Sequence, residues 1–333
     1  MNVLVLGGTA WLGREVALAA LAEGHEVVAL ARGESGSVPD PVELVRADRG
    51  EADAYDAVAR RDWDVVVDVA RQPSHVRGAV AALGGRTGSW VFVSSCSVYA
   101  RDDSPGDDES AALHPAHAED DDGGETYGAR KVACESAVLD AVGDRALVAR
   151  SGLVAGPGDH TDRTGYWPLR FALPATSDGA VLVPGADLAT QVVDVRDLAS
   201  FLVRAGTGAA TGVVNVSGPV VPLATHLDTA REVAGHTGPV VEVTQEWLVE
   251  HEVQPWSGPR SLPLWLPLPD YAGFMARDTT AARALGLRTR PLAETLADTL
   301  AWELRQGPGR LRRAGLSPAE EAELLDATGR HRT

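Results

Sequence analysis

The chain has 333 residues, 44% hydrophobic and 23% charged, with a formal net charge of −17. That length buries the core of one large or two ordinary domains, and the composition excludes wholesale disorder. The acidic balance argues against nucleic acid, and no apolar run approaches the roughly 20 residues of a membrane span.

In chain order, residues 3–6 read as a buried strand leading into Gly7-Gly8-Thr9-Ala10-Trp11-Leu12-Gly13 and an Ala/Leu-rich helix to about Glu23. The start lacks a cationic n-region, so a cytoplasmic protein is expected. A strand is expected over 26–31, then a strand over 42–47, a helix over 53–60, a strand over 64–69 and a helix over 73–83. A strand over 89–94, a long loop, a helix over 126–142 and a strand over 145–150 complete the series. Such alternation predicts a Rossmann-type α/β fold, a doubly wound parallel sheet with helices on both faces. Residues 1–150 are read as the dinucleotide-binding domain, with 190–218 adding a helix over 196–204 and a strand over 212–217. Residues 151–189 and 219–333 are read as a smaller, mostly helical substrate-binding portion. Its last helices are expected over 292–306 and after the capping box Ser317-Pro318-Ala319-Glu320.

The loop 101–125 holds ten acidic residues against one Arg, about −9 of the total charge. It reads as a solvated acidic loop or a lid. His114 and His117 beside its carboxylates make a poor preformed metal cage, so no metal is expected. Cys96 and Cys134 match no metal or redox spacing and read as reduced thiols. Of the 30 basic residues, 29 are Arg and one is Lys131, which hints at a role that guanidinium fills badly.

The glycine loop stands where helix N–H groups and the helix dipole seat a pyrophosphate. Gly7 permits the turn, Gly13 lets helix and strand approach, and Thr9, Ala10, Trp11 and Leu12 complete the loop. At the end of the second strand an acid would select NAD; Ala31-Arg32 favours NADP, by pairing with a 2′-phosphate, over NAD. Asp48 is a candidate for the adenine amino group, and Val69 and Ala70 for the cofactor's flank. Tyr127 and Lys131 lie four apart at a helix start, on one face, where an ammonium can stabilise a phenolate and bond ribose hydroxyls. Ser94-Ser95-Cys96-Ser97-Val98-Tyr99 ends a strand at the ligand-binding edge of the sheet, so a serine there can hold a substrate oxygen. Tyr99 reads as packing.

Together these motifs resemble the extended short-chain dehydrogenase/reductase superfamily, the NAD(P)-dependent epimerase/dehydratase family, from Met1 to about Gln306. Gly156-Pro157-Gly158-Asp159, Val195-Arg196-Asp197-Leu198-Ala199, Leu285-Gly286-Leu287 and Pro291-Leu292 add to the likeness. The resemblance implies Ser95, Tyr127 and Lys131 as the catalytic set. Cys96-Ser97 stand where similar dehydratases carry Asp-Glu, which argues against elimination. Arg150-Ser151-Gly152-Leu153 and Thr190 lack phosphate contacts usual in similar sugar-nucleotide epimerases. The resemblance is closer to carbonyl reductases, with Cys96, Ser97, Arg163 and Trp167 as candidate substrate residues beside Tyr166. The expected activity is NAD(P)-dependent reduction of a carbonyl or oxidation of a hydroxyl on a small molecule. A sugar or sugar-nucleotide epimerase is the alternative, and a non-catalytic dinucleotide sensor the alternative of another class. Neither nucleic acid nor membrane is expected as a partner, and a homodimer is left open.

Overall fold

Short runs of Val, Leu and Ala, too apolar to alternate, form strands that are covered on both faces. The computed structural model describes residues 1–120, 126–185, 187–307 and 309–329. They divide into two compact units.

The first unit comprises Met1–Val154, Val195–Gly218 and Arg277–Thr289. Its strands are β1 (Asn2–Leu6), β2 (Glu26–Ala31), β3 (Glu43–Arg46), β4 (Trp63–Asp68), β5 (Thr87–Ser95), β6 (Ala146–Ser151) and β7 (Gly212–Val216). They make a seven-stranded sheet in the order β7-β6-β5-β4-β1-β2-β3, parallel throughout. Its helices are α1 (Trp11–Ala22), α2 (Pro73–Leu83), α3 (Tyr127–Val142) and α4 (Val195–Thr207), with a short helix at Thr280–Ala284. On one face Val76, Ala79 and Leu83 of α2 and Cys134 and Val138 of α3 pack on Leu4, Val66, Trp90, Phe92 and Val148. On the other, α4 lies close enough to Val65 and Val91 that a methyl on Gly206 would stand 2.7 Å and 2.9 Å from them. The strand order reverses between β1 and β4, so the glycine loop and the ends of β2, β4 and β5 share the carboxyl edge.

The helix expected over 53–60 is a correction. Those residues form successive turns with bonds such as Asp56 N to Asp53 O and Val58 N to Tyr55 O, three residues apart. Ala54, Tyr55 and Val58 are nevertheless buried. The apolar spacing reflects burial, while Tyr55, whose hydroxyl donates to His75 O at 2.8 Å, fixes the turn.

The second unit comprises Ala155–Asp194, Pro219–Ala276 and Arg290–Thr333, of which residues 186, 308 and 330–333 fall outside the described set. It holds the helices Tyr166–Ala172, Leu223–Val233, Gln245–Glu250, Leu292–Gln306 and Pro318–Ala327, and pairs Val181–Pro184 in parallel with Val240–Val243. The capping box at Ser317 and Glu320 starts the last helix. That helix is locked by Glu321, whose carboxylate takes Arg170 at 2.9 Å and the N–H of Leu182 at 3.0 Å. No helix among the described residues is long and apolar enough to cross a membrane.

Candidate active site

Gly7, at φ +99°, turns the chain out of β1, and an added methyl would meet Val69 at 2.6 Å. A methyl on Gly13 would stand 2.2 Å from the Gly7 carbonyl, so α1 starts directly on the turn. Ala10, the N-cap of α1, has no side chain to satisfy the first helical N–H groups, and the first turn carries no acid. Those donors therefore suit an anion.

A cleft of about 360 Å³ opens here, bordered by Gly7, Thr9 and Ala10, by Ala31–Ser35 and Ala47–Arg49, and by Val69–Gln72 and His75. It brings together Gly7, Thr9, Ala10, Arg32, Asp48, Val69 and Ala70 of the expected cofactor residues. Trp11, Leu12 and Gly13 form the first turn of α1 outside that lining.

Three arginines border the cleft. Arg32 pairs with Glu34 at 3.3 Å and Asp48 at 3.8 Å, all well exposed. Asp48 also accepts the N–H of Gly50 at 2.9 Å. Arg49 forks onto Asp68 at 2.7 Å and 2.9 Å and donates to the Tyr55 hydroxyl at 2.9 Å. Asp68 is fully buried at the end of β4, and its other contact accepts the N–H of Ala70 at 3.0 Å. Burial, and then Arg49, push the His75 imidazole toward its neutral form. Arg71 is exposed and has no carboxylate partner among the described residues. Arg49, Asp68, Arg71 and His75 were missed by sequence reasoning. An acid ending β4 opposite an Arg after Asp48 was the available signal for the first pair.

At the end of β5, Ser95 caps a short turn: its Oγ accepts the N–H of Ser97 at 3.1 Å and donates to the Ser97 hydroxyl at 3.1 Å. Helix α3 starts against this turn. A methyl on Gly128 would lie 2.0 Å from the Ser97 carbonyl oxygen, so only glycine lets the first turn, with half-buried Tyr127, sit there. One turn on, Lys131 is 2% exposed. Its Nζ donates to Ala70 O and Val93 O, both at 2.6 Å, and lies 4.7 Å from the centre of the Phe92 ring. Two of its three donors are thereby used, and Ala70 also borders the cleft. One further turn along α3, Glu135 forks with Arg150 at 2.8 Å and 3.0 Å and accepts Ser94 Oγ at 2.5 Å, tying the helix to β5 and β6.

Two expected substrate residues are corrected. Cys96 is buried: its thiol donates to Arg150 O at 3.3 Å, and burial pushes it up to about 12. Trp167 is a core residue whose Nε1 donates to Pro263 O at 2.8 Å; its neighbour Tyr166 is buried too. Arg163, in the second unit, is half-buried over the Trp256 ring at 4.8 Å and bonds Thr161 Oγ1 at 3.1 Å. Tyr99 packs as expected, with its hydroxyl on Asn215 Oδ1 at 2.5 Å.

Residues 3–83 match the model of the NAD dependent epimerase/dehydratase family. No curated protein matches the chain. Among solved structures it is similar to UDP-N-acetylglucosamine 4-epimerase from Bacillus cereus, at 16% identity and TM-score 0.67, covering 93% of this chain and 98% of that one. WbmH of Bordetella bronchiseptica, solved with NAD+, matches at 18% identity and TM-score 0.66, covering 92% and 99%. UDP-glucose 4-epimerase from Thermotoga maritima, solved with UDP-glucose, matches at 16% and TM-score 0.65, covering 92% and 99%. Residues 3–83 thus match the NAD dependent epimerase/dehydratase family by sequence, and the chain as a whole shares the fold of these solved structures.

Proposed function

We propose that the chain is an NAD(P)-dependent oxidoreductase that reduces a carbonyl, or oxidises a hydroxyl, of a small molecule. The observation that carries this reading is the seat of α3 on the turn after Ser95, which gathers Tyr127, Ser95 and Lys131 at one edge of the sheet. Bound in the cleft, a nicotinamide dinucleotide supplies the hydride donor or acceptor. Tyr127 gives a proton to the substrate oxygen, or takes one from it. The Ser95 hydroxyl turns from Ser97 to bond the same oxygen. Lys131 keeps one donor for a ribose hydroxyl and places its charge one turn from Tyr127.

NADP is the preferred cofactor. The pairs that Arg32 makes now are solvent-exposed and worth about 0–1 kcal/mol, less than the roughly 1.5–3 kcal/mol of a charge-assisted bond to phosphate.

Deuterium transfer from C4-labelled NADPH to a panel of carbonyl compounds tests the reading. One deuterium in the product per NADPH consumed is expected, and Tyr127→Phe should lose at least about 10²-fold in turnover. Lys131→Arg should keep the fold and lose most activity. Binding without transfer across the panel, or full turnover by Tyr127→Phe, would sink it. The second reading, an epimerase, is favoured by the names of the solved neighbours; it predicts interconversion of sugar-nucleotide epimers with no net change in the nucleotide pool.

A further inference from the structure

The arginines of the cleft differ in what already holds them. Arg49 is spent on a buried carboxylate, Asp68, and on Tyr55. Arg32 lies between two carboxylates. Arg71 faces the same cleft with neither a hydrogen bond nor an ion pair among the described residues. It follows Asp68-Val69-Ala70 at the carboxyl end of β4, and β4 adjoins β1 on the side away from β2, with Asp68 in register with Leu6. Val69 touches the glycine turn, since a methyl on Gly7 would meet it at 2.6 Å. Arg71 therefore flanks the glycine loop on the side opposite Arg32.

We infer that Arg71 is the cationic ligand of the dinucleotide's pyrophosphate, closing over it against the uncapped start of α1, while Arg32 serves only the 2′-phosphate. The inference rests on the dinucleotide reading of the cleft and assigns its two anionic groups to two different arginines. The N–H groups of α1 carry no net charge and Ala10 supplies no side-chain donor. A free guanidinium beside them meets two of the non-bridging pyrophosphate oxygens with paired donors, which an ammonium does less well. The pyrophosphate is common to NAD and NADP, so Arg71 governs affinity and Arg32 discrimination.

Calorimetric titration of NADH, NADPH and adenosine into the wild-type protein, Arg71→Gln, Arg71→Lys and Arg32→Gln tests this. Arg71→Gln should weaken NADH and NADPH alike by about tenfold and leave adenosine unchanged. Arg71→Lys should recover part of the loss, and both losses should shrink at high salt. Arg32→Gln should weaken NADPH alone. Unchanged dinucleotide binding in Arg71→Gln, or a loss confined to NADPH, overturns the assignment while leaving the dinucleotide reading intact. A wild-type protein that binds neither nucleotide removes both. Circular dichroism and melting temperature of each variant check folding, which exposed, unpartnered Arg71 should not affect.

Discussion

Gly128 is the narrowest point of the site. Its Cα faces the Ser97 carbonyl so closely that a methyl would stand 2.0 Å from the oxygen, against backbone that cannot swing aside. Gly128→Ala must push the start of α3 off the turn after Ser95 and carry Tyr127 with it. A misplacement of about 1 Å costs about 10²-fold in rate where reacting groups must meet. Turnover should fall by roughly that factor with cofactor Kd nearly unchanged; near-native turnover would show that the contact does not set the geometry. From sequence, Tyr127 and Lys131 were legible because i and i+4 share a helix face, whereas Gly128 between them read as an ordinary residue. Its neighbour across the contact comes from a turn some thirty residues earlier, and nothing local marks such a meeting. Cys96 and Trp167 misled for the same reason: proximity in sequence to a site says nothing about which way a side chain is packed.

At the level of the element, a buried ion pair ties α3 to the sheet. Glu135 continues the face of Tyr127 and Lys131 and meets Arg150 and Ser94, which are in register on β6 and β5. Removing one partner leaves a buried charge, which costs about 3–5 kcal/mol, while a pair replaced by apolar groups is often nearly neutral. Glu135→Ala should lower the urea unfolding free energy by about 3 kcal/mol, and Glu135→Leu with Arg150→Met should recover most of it. A single variant as stable as the parent would show that the pair contributes nothing. Strands β1, β2, β4, β5 and β6 were legible from their apolar runs because a parallel sheet is buried on both faces. The turns over 53–60 were not, because an apolar residue every third or fourth position marks burial without specifying a four-residue hydrogen-bond step.

For the molecule as a whole, the acidic loop is more tied down than its composition suggests. Arg277, 1% exposed, pairs with Asp102 at 2.6 Å and Asp107 at 3.4 Å and lies 4.4 Å from the centre of the Tyr99 ring. Glu109 accepts the N–H of Asn215 in edge strand β7 at 2.6 Å. Composition counts charge but not distant partners, so a loop with ten acids read as solvated; its Asp121, Asp122 and Glu125 fall outside the described residues. The second unit carries a different titration. His226 is fully buried with neither ring nitrogen bonded among the described residues, and burial lowers its pKa from the ordinary 6.5 to about 4. The unfolded chain therefore binds the proton first: stability is full above pH 6.5 and falls as pH drops through the window toward 4. Between pH 7 and pH 5 this amounts to about 2 kcal/mol, and His226→Leu should flatten that part of the pH dependence in urea titrations. An unchanged slope would place the acid sensitivity elsewhere.

The two carbonyls that hold Lys131 have a kinetic meaning. They tie the end of β4 to β5 through an ammonium that is already seated. Fixing so flexible a side chain costs roughly 1.5–2 kcal/mol of rotamer entropy, and here that cost falls on folding rather than on nucleotide capture. The incoming ligand meets a rigid charge that needs no induced rearrangement, so encounter with the cleft can proceed without a slow gating step at this residue.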